Sequence, residues 1–176
     1  MAKLPWLALT CGVLLLASIY EYIQVMEVIN TQQPLKTMEV LIYHRGKHIG
    51  VDSRVAPGVV GECERLLTEA DTTRLLIMTP DRIREIKSAD AVEIVYPSIQ
   101  TKSVLANTRV YFTKLLIPLS GEFANGMVFY AGSAQPGADK LNYDSLQEYG
   151  PVNFVRNTQG LEKLEEVLNG ATSTRH

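Results

Sequence analysis

Leu4 to Tyr20 reads LPWLALTCGVLLLASIY, seventeen residues without a charge. A bilayer's hydrocarbon core is spanned by about 20 predominantly apolar helical residues. The apolar character continues past Tyr20 through EYIQVMEVI, so a helix over residues 1–30 is long enough to cross. Pro5 suits a first helical turn, where its missing N–H costs nothing. Trp6 lies near one end, with Tyr20 and Tyr22 near the other, where aromatic residues gather at membrane interfaces.

Three other readings of this run were weighed. A cleaved signal peptide needs small residues at −3 and −1 of its cleavage site, and Leu15 or Leu16 stands at −3 around Leu16-Ala17-Ser18. A lipoprotein site at Cys11 fits badly, because the apolar run continues beyond it. A buried helix of a soluble domain does not require so long a run. An uncleaved anchor is therefore the expectation. Lys3 precedes the span and Glu21 and Glu27 follow it, which by the positive-inside rule puts the N-terminus in the cytoplasm and the rest outside. Glu21, Gln24 and Glu27 recur every third residue as a narrow polar stripe. The stripe fits either a helix emerging into water or a docking line for a partner helix.

Asn30-Thr31-Gln32-Gln33-Pro34 ends the helix, and residues 31–37 form a linker. What remains, 38–170, is close to the commonest domain size, followed by a small polar tail, 171–176, expected to be disordered. Seventeen basic residues face nineteen acidic ones in the chain, a net of −2, and Lys3 and Lys36 balance Glu21 and Glu27. With no basic stripe beyond the interrupted Arg82-Ile83-Arg84 and Lys87, nucleic acid is not an expected partner. The bilayer and a protein are. Cys11 and Cys63 fall in different parts of the chain, so no internal disulfide is expected.

Within the domain, MEVLIY (38–43) reads as a strand, His44 to Lys47 as a turn, and His48 to Val51 as a returning strand. Val59, Val60, Cys63, Leu66, Leu67 and Ala70 share one face of a helical period. Arg74 to Met78 suits a buried strand. Thr79-Pro80-Asp81 starts a second helix with a hydroxyl cap, a proline and an early acid. AVEIVY (91–96) is a strand stopped by Pro97, and Ile99 to Leu105 another. VYFTKLLI (110–117) and MVFYA (127–131) pair across a turn holding Asn125-Gly126. A last helix, capped at Asn157 or Thr158, turns Leu161, Leu164, Val167 and Leu168 inward and ends at Asn169-Gly170. The fold class expected is α+β, one mixed-sheet domain with about three helices.

Few residues offer chemistry. His44 and His48, with Asp52 nearby, have metal-like spacing, but Gly46 between them argues for a surface hairpin, and neither metal nor cofactor is expected. Cys63 lies on the apolar helix face, as packing thiols do. Ser120 lacks the G-x-S-x-G setting. The segment 132–151 is long enough to suggest a binding loop, with Tyr143, Tyr149, Asp144 and Glu148 as candidate contacts, or else with its tyrosines covering the sheet. The leading expectation is a membrane-anchored, non-enzymatic interaction domain, an accessory subunit of a membrane or envelope assembly. Behind it stands an extracytoplasmic small-ligand sensor using the 132–151 loop. An enzyme drawing on His44, Asp52 and Glu122, or a filament subunit, follows further back.

Overall fold

A computed structural model describes residues 37–73, 76–105, 108–133 and 143–173, leaving aside the side chains of 151–153 and 171–173. The expected membrane helix, its stripe of Glu21, Gln24 and Glu27, and the end of the tail lie outside the described residues. Among the described residues, no helix is long and apolar enough to cross a membrane.

Strand β1 (Glu39–His44) turns at Arg45 and Gly46, both with positive φ, into β2 (Lys47–Gly50). Helix α1 (Ala56–Thr68) and helix α2 (Pro80–Ser88) follow. The Thr79 side chain accepts a hydrogen bond from Arg82 N at 3.3 Å, the cap that TPD predicts. Then come β3 (Ala91–Val104), β4 (Thr108–Pro118), β5 (Met127–Ser133), a single 3-10 turn (Asp144–Leu146), β6 (Tyr149–Arg156) and α3 (Leu161–Ser173). The six strands form one sheet in the order β2-β1-β3-β4-β5-β6, and every pairing is antiparallel. The fold is α+β with three helices.

The sheet departs from the expected mixed sheet for a topological reason. Strands β2 and β3 are linked through α1 and α2, which invites a parallel pairing. Yet β1 lies between them and runs antiparallel to both, so the two like-directed strands never touch. Of the strand expected over Arg74 to Met78, the described residues 76–78 form none either. In that region Thr72 alone makes a bridge, to Arg156 on the outer side of β6.

Three boundaries differ from the expectation. Pro97 does not stop β3. It falls where the β3–β4 register slips between Val95 and Gln100, and there a missing N–H removes no ladder bond. So 91–96 and 99–105 are one strand. Strand β6 begins inside the expected 132–151 loop, and Pro151 is tolerated in it because β6 is a sheet edge. Gly170 does not end α3, which runs to Ser173. One glycine costs a helix about 1 kcal/mol, less than the packing of a helix face returns.

The sheet is buried on both faces, and β3 shows how its residues divide. Val92, Ile94 and Tyr96 enter one core with Val59, Cys63, Leu66 and Leu67 of α1 and Leu164 and Leu168 of α3. Ala91 enters the other, with Leu116, Phe129, Phe154, Phe123, Met78 and Ile86 of α2. Double burial explains why AVEIVY is almost wholly apolar, with Glu93 its one charge.

The eight residues between β4 and β5 close on Gly126, whose φ is +71°. A Cβ there would stand 1.7 Å from the carbonyl oxygen of Asn157, and Asn157 N donates to Gly126 O at 2.9 Å. Gly126→Ala is expected to cost about 2 kcal/mol or more in urea unfolding of the full chain in detergent, followed by circular dichroism. Gly121→Ala, at φ +85° with open space around it, should cost about 1 kcal/mol. Equal losses would remove the Asn157 contact as the cause.

Candidate functional site

Two features carry the domain's polar chemistry: a buried carboxylate and an open groove. Glu93 is 3% exposed, and burying an unpaired carboxylate costs several kcal/mol. Here it is fully engaged. Lys87 of α2 donates to both carboxylate oxygens, at 2.7 and 2.8 Å. The Tyr43 hydroxyl of β1 donates to Oε2 at 2.6 Å, and the Tyr149 hydroxyl of β6 to Oε1 at 2.9 Å. The Lys87 ammonium also stands 5.3 Å from the Tyr43 ring centre and 5.7 Å from that of Tyr149, a cation held between two aromatic rings. Burial, and then the Glu93 carboxylate, push both phenols well above the ordinary tyrosine range.

This network places the candidate residues of the 132–151 segment. Residues 134–142 lie outside the described residues. From Tyr143 the chain is strapped to the sheet by three bonds: the Tyr143 hydroxyl to Tyr96 O at 2.6 Å, Thr113 Oγ1 to Leu146 O at 2.5 Å, and Tyr149 to Glu93. Asp144 and Glu148 are exposed beside this strap. The two tyrosine hydroxyls are thus engaged with the domain itself, and the two acids face outward.

The groove lies elsewhere. It is a cavity of about 900 Å³ between the β1–β2 hairpin, the segment leading into α1 and the middle of α3. Ile42, Ile49, Val51, Val55, Leu119 and Leu168 supply its apolar walls. Paired strand residues share a face, so the Ile42–Ile49 and His44–Lys47 pairs point to the groove side, whereas His48 goes with Tyr43 to the other. The His48 and Tyr43 rings meet at 5.6 Å. The two histidines therefore diverge, and among the described residues no cluster of three or more potential ligands could hold a metal.

His44 and Asp52 do meet in the lining of this groove, but Glu122, the third residue of that expectation, is not part of it. His44 Nδ1 donates to Asp90 Oδ1 at 2.6 Å, because a carboxylate can only accept. Ser120 Oγ accepts from Asp90 N at 3.0 Å, a structural use of that hydroxyl. Asp52 accepts from Arg54 N at 2.9 Å and from its guanidinium at 3.2 and 3.3 Å. The groove is an apolar trough with polar pairs at its rim, the form taken by binding sites. Cys63 lies buried in α1, its thiol pushed up by burial and by the neighbouring Glu62 and Glu64 carboxylates, a packing group rather than a nucleophile.

Sequence reasoning picks out parts of each site, Tyr149 in the Glu93 network and His44 and Asp52 in the groove, without assembling either. Glu93 had a signal, a lone acid inside an apolar strand. The groove had none, because its lining comes from five separate stretches of chain. No family model, no curated protein and no solved structure matches this chain.

The raised tyrosines set a pH dependence. A phenol whose folded pKa lies above its unfolded value leaves stability intact below about pH 10. As pH rises further, the unfolded chain ionises first and stability falls. Tyr43, Tyr96, Tyr130 and Tyr149 all have this sign. Absorbance at 295 nm should therefore show a late tyrosine titration that coincides with loss of circular dichroism. Tyr149→Phe should lower stability at pH 7 by about 1 to 2 kcal/mol. It should also flatten the alkaline limb, and an unchanged limb would detach Tyr149 from it.

Proposed function

We propose that this protein is a membrane-anchored, non-enzymatic interaction domain, an accessory subunit of a membrane or envelope assembly. Its N-terminus lies in the cytoplasm and its domain outside. The observation that supports the reading best is the groove beside the β1–β2 hairpin, with Ile49 on its rim 53% exposed. A large apolar side chain left in water at the mouth of an apolar trough is the mark of a surface that a partner covers. The charge-free run 4–20 and the polar stripe of Glu21, Gln24 and Glu27 support the anchor and a second line of contact within or beside the bilayer.

A small-ligand function remains a second reading, because the groove's volume falls in the range of small-molecule pockets. It would use the hairpin groove, whose described lining residues lie outside 132–151.

A photo-crosslinking amino acid at position 49, in the full chain in the membranes of the cell that makes it, tests the proposal. Expected are retention of the chain through alkaline carbonate washing and one stoichiometric crosslinked protein. The same label at Ile77, exposed at a different place, should give none. Release by carbonate would overturn the anchor, and absence of any crosslink at 49 would overturn the interaction surface.

A further inference from the structure

The groove's lining carries more acid than base. Asp52, Asp90 and Glu165 stand against Arg54 and His44. Asp52 is matched by Arg54, and Asp90 by His44. Glu165 makes no ion pair among the described residues and projects from an exposed position of α3, a helix with three glutamates and one lysine. On the hairpin side, Lys47 shares the groove face opposite His44. One wall, that of α3, is therefore acidic with an unmatched carboxylate. The floor is apolar, and the far end bears a cation.

Building on the interaction reading, we infer that the groove docks an amphipathic segment of another protein, an apolar stripe flanked by lysine or arginine on the side that meets Glu165. Two observations select this occupant. A flanking cation gives a counter-charge to Glu165, the lining carboxylate without an ion pair among the described residues, and like charge there would be rejected. A second copy of this domain is poorly suited, because α1, α2 and α3 already spend their apolar faces in the two cores.

The test uses the full chain in phosphatidylcholine nanodiscs, with empty nanodiscs as baseline. Two fluorescent helical peptides share one leucine stripe, flanked by lysines in the first and by glutamates in the second. Anisotropy should show the lysine peptide binding about tenfold tighter. Glu165→Lys, at an exposed mid-helix position of α3 where lysine is as good a helix former as glutamate, should abolish that preference. Ile49→Glu should weaken the glutamate peptide's binding most. Equal binding of both peptides, no binding of either, or a preference untouched by Glu165→Lys overturns the inference.

Crosslinking from position 49 separates the two levels of the argument. A captured protein that the lysine peptide fails to displace leaves the interaction domain standing and removes the basic segment. Failure of both capture and peptide binding removes both. A crosslink to a second copy of this chain also overturns the basic segment, and analytical ultracentrifugation would then show a dimer.

Discussion

The carboxylate of Glu93 is the one buried charge among the described residues, and four elements converge to satisfy it. Strand β3 supplies the acid, α2 the lysine, and β1 and β6 the two tyrosines. These elements are far apart in sequence: Tyr43 and Glu93 are separated by 50 positions, and Tyr149 lies 56 beyond Glu93. A hydrophobic contact is indifferent to small slips in register, but a carboxylate with two oxygens and named donors is not. Shifting β1 by one residue against β3 would turn Tyr43 to the opposite face and leave the acid short of a donor. The network therefore fixes how the hairpin, the second helix and the last strand sit on the central strand. An apolar residue of similar size would pack as well and specify less.

That fixed placement also accounts for the groove. Helices α1 and α3 cover the central strands on one face, and α2 covers the other. The β1–β2 hairpin is held to β3 from the α2 side, through Tyr43. On the opposite side its residues Ile42 and Ile49 extend past the helices, and Val51 and Val55 complete a trough that reaches to Leu168. The second strand is only four residues long and exposed throughout, so it contributes little of its own to stability. It is positioned by its neighbour and offered to the surface. Rigid support from one face and an apolar surface on the other is the arrangement a docking site requires.

Much of the fold could be read from local pattern. Helix α1 was visible in the spacing of Val59, Cys63, Leu66 and Leu67, and α2 in its TPD start. Each signal is complete within one or two turns. Strand β6 was missed because Pro151 and Gly150 read as loop, and only the knowledge that β6 is an edge makes them acceptable. Strand β3 was divided at Pro97 because a bulge is a property of two strands, and sequence shows one at a time. The antiparallel sheet was mistaken for a mixed one because the chain order β-α-α-β does not reveal that another strand intervenes. The site was less legible still. Of the residues read as candidates, Tyr143 and Tyr149 hold their own segment to the sheet. His44 and Asp52 both line the groove, through the fold of the hairpin and the segment after it and not through the four-residue spacing of His44 and His48.

The charge pattern around the groove follows from what the fold must do elsewhere. Acids on the exposed side of α3 cost the fold nothing, since its inner side already seals the core through Leu164 and Leu168. Glu165 and Glu166 are the fifth and sixth of the thirteen residues of α3, mid-helix, where the helix dipole has little hold on a charge. Glu62 and Glu69 of α1, by contrast, are both taken up by Arg65, at 2.7 Å each. Glu165 lines the trough with no such partner among the described residues. A carboxylate in the same lining as exposed Ile49, with the other lining acids already paired, gains little from the isolated domain. Its placement makes physical sense when a cation arrives from outside.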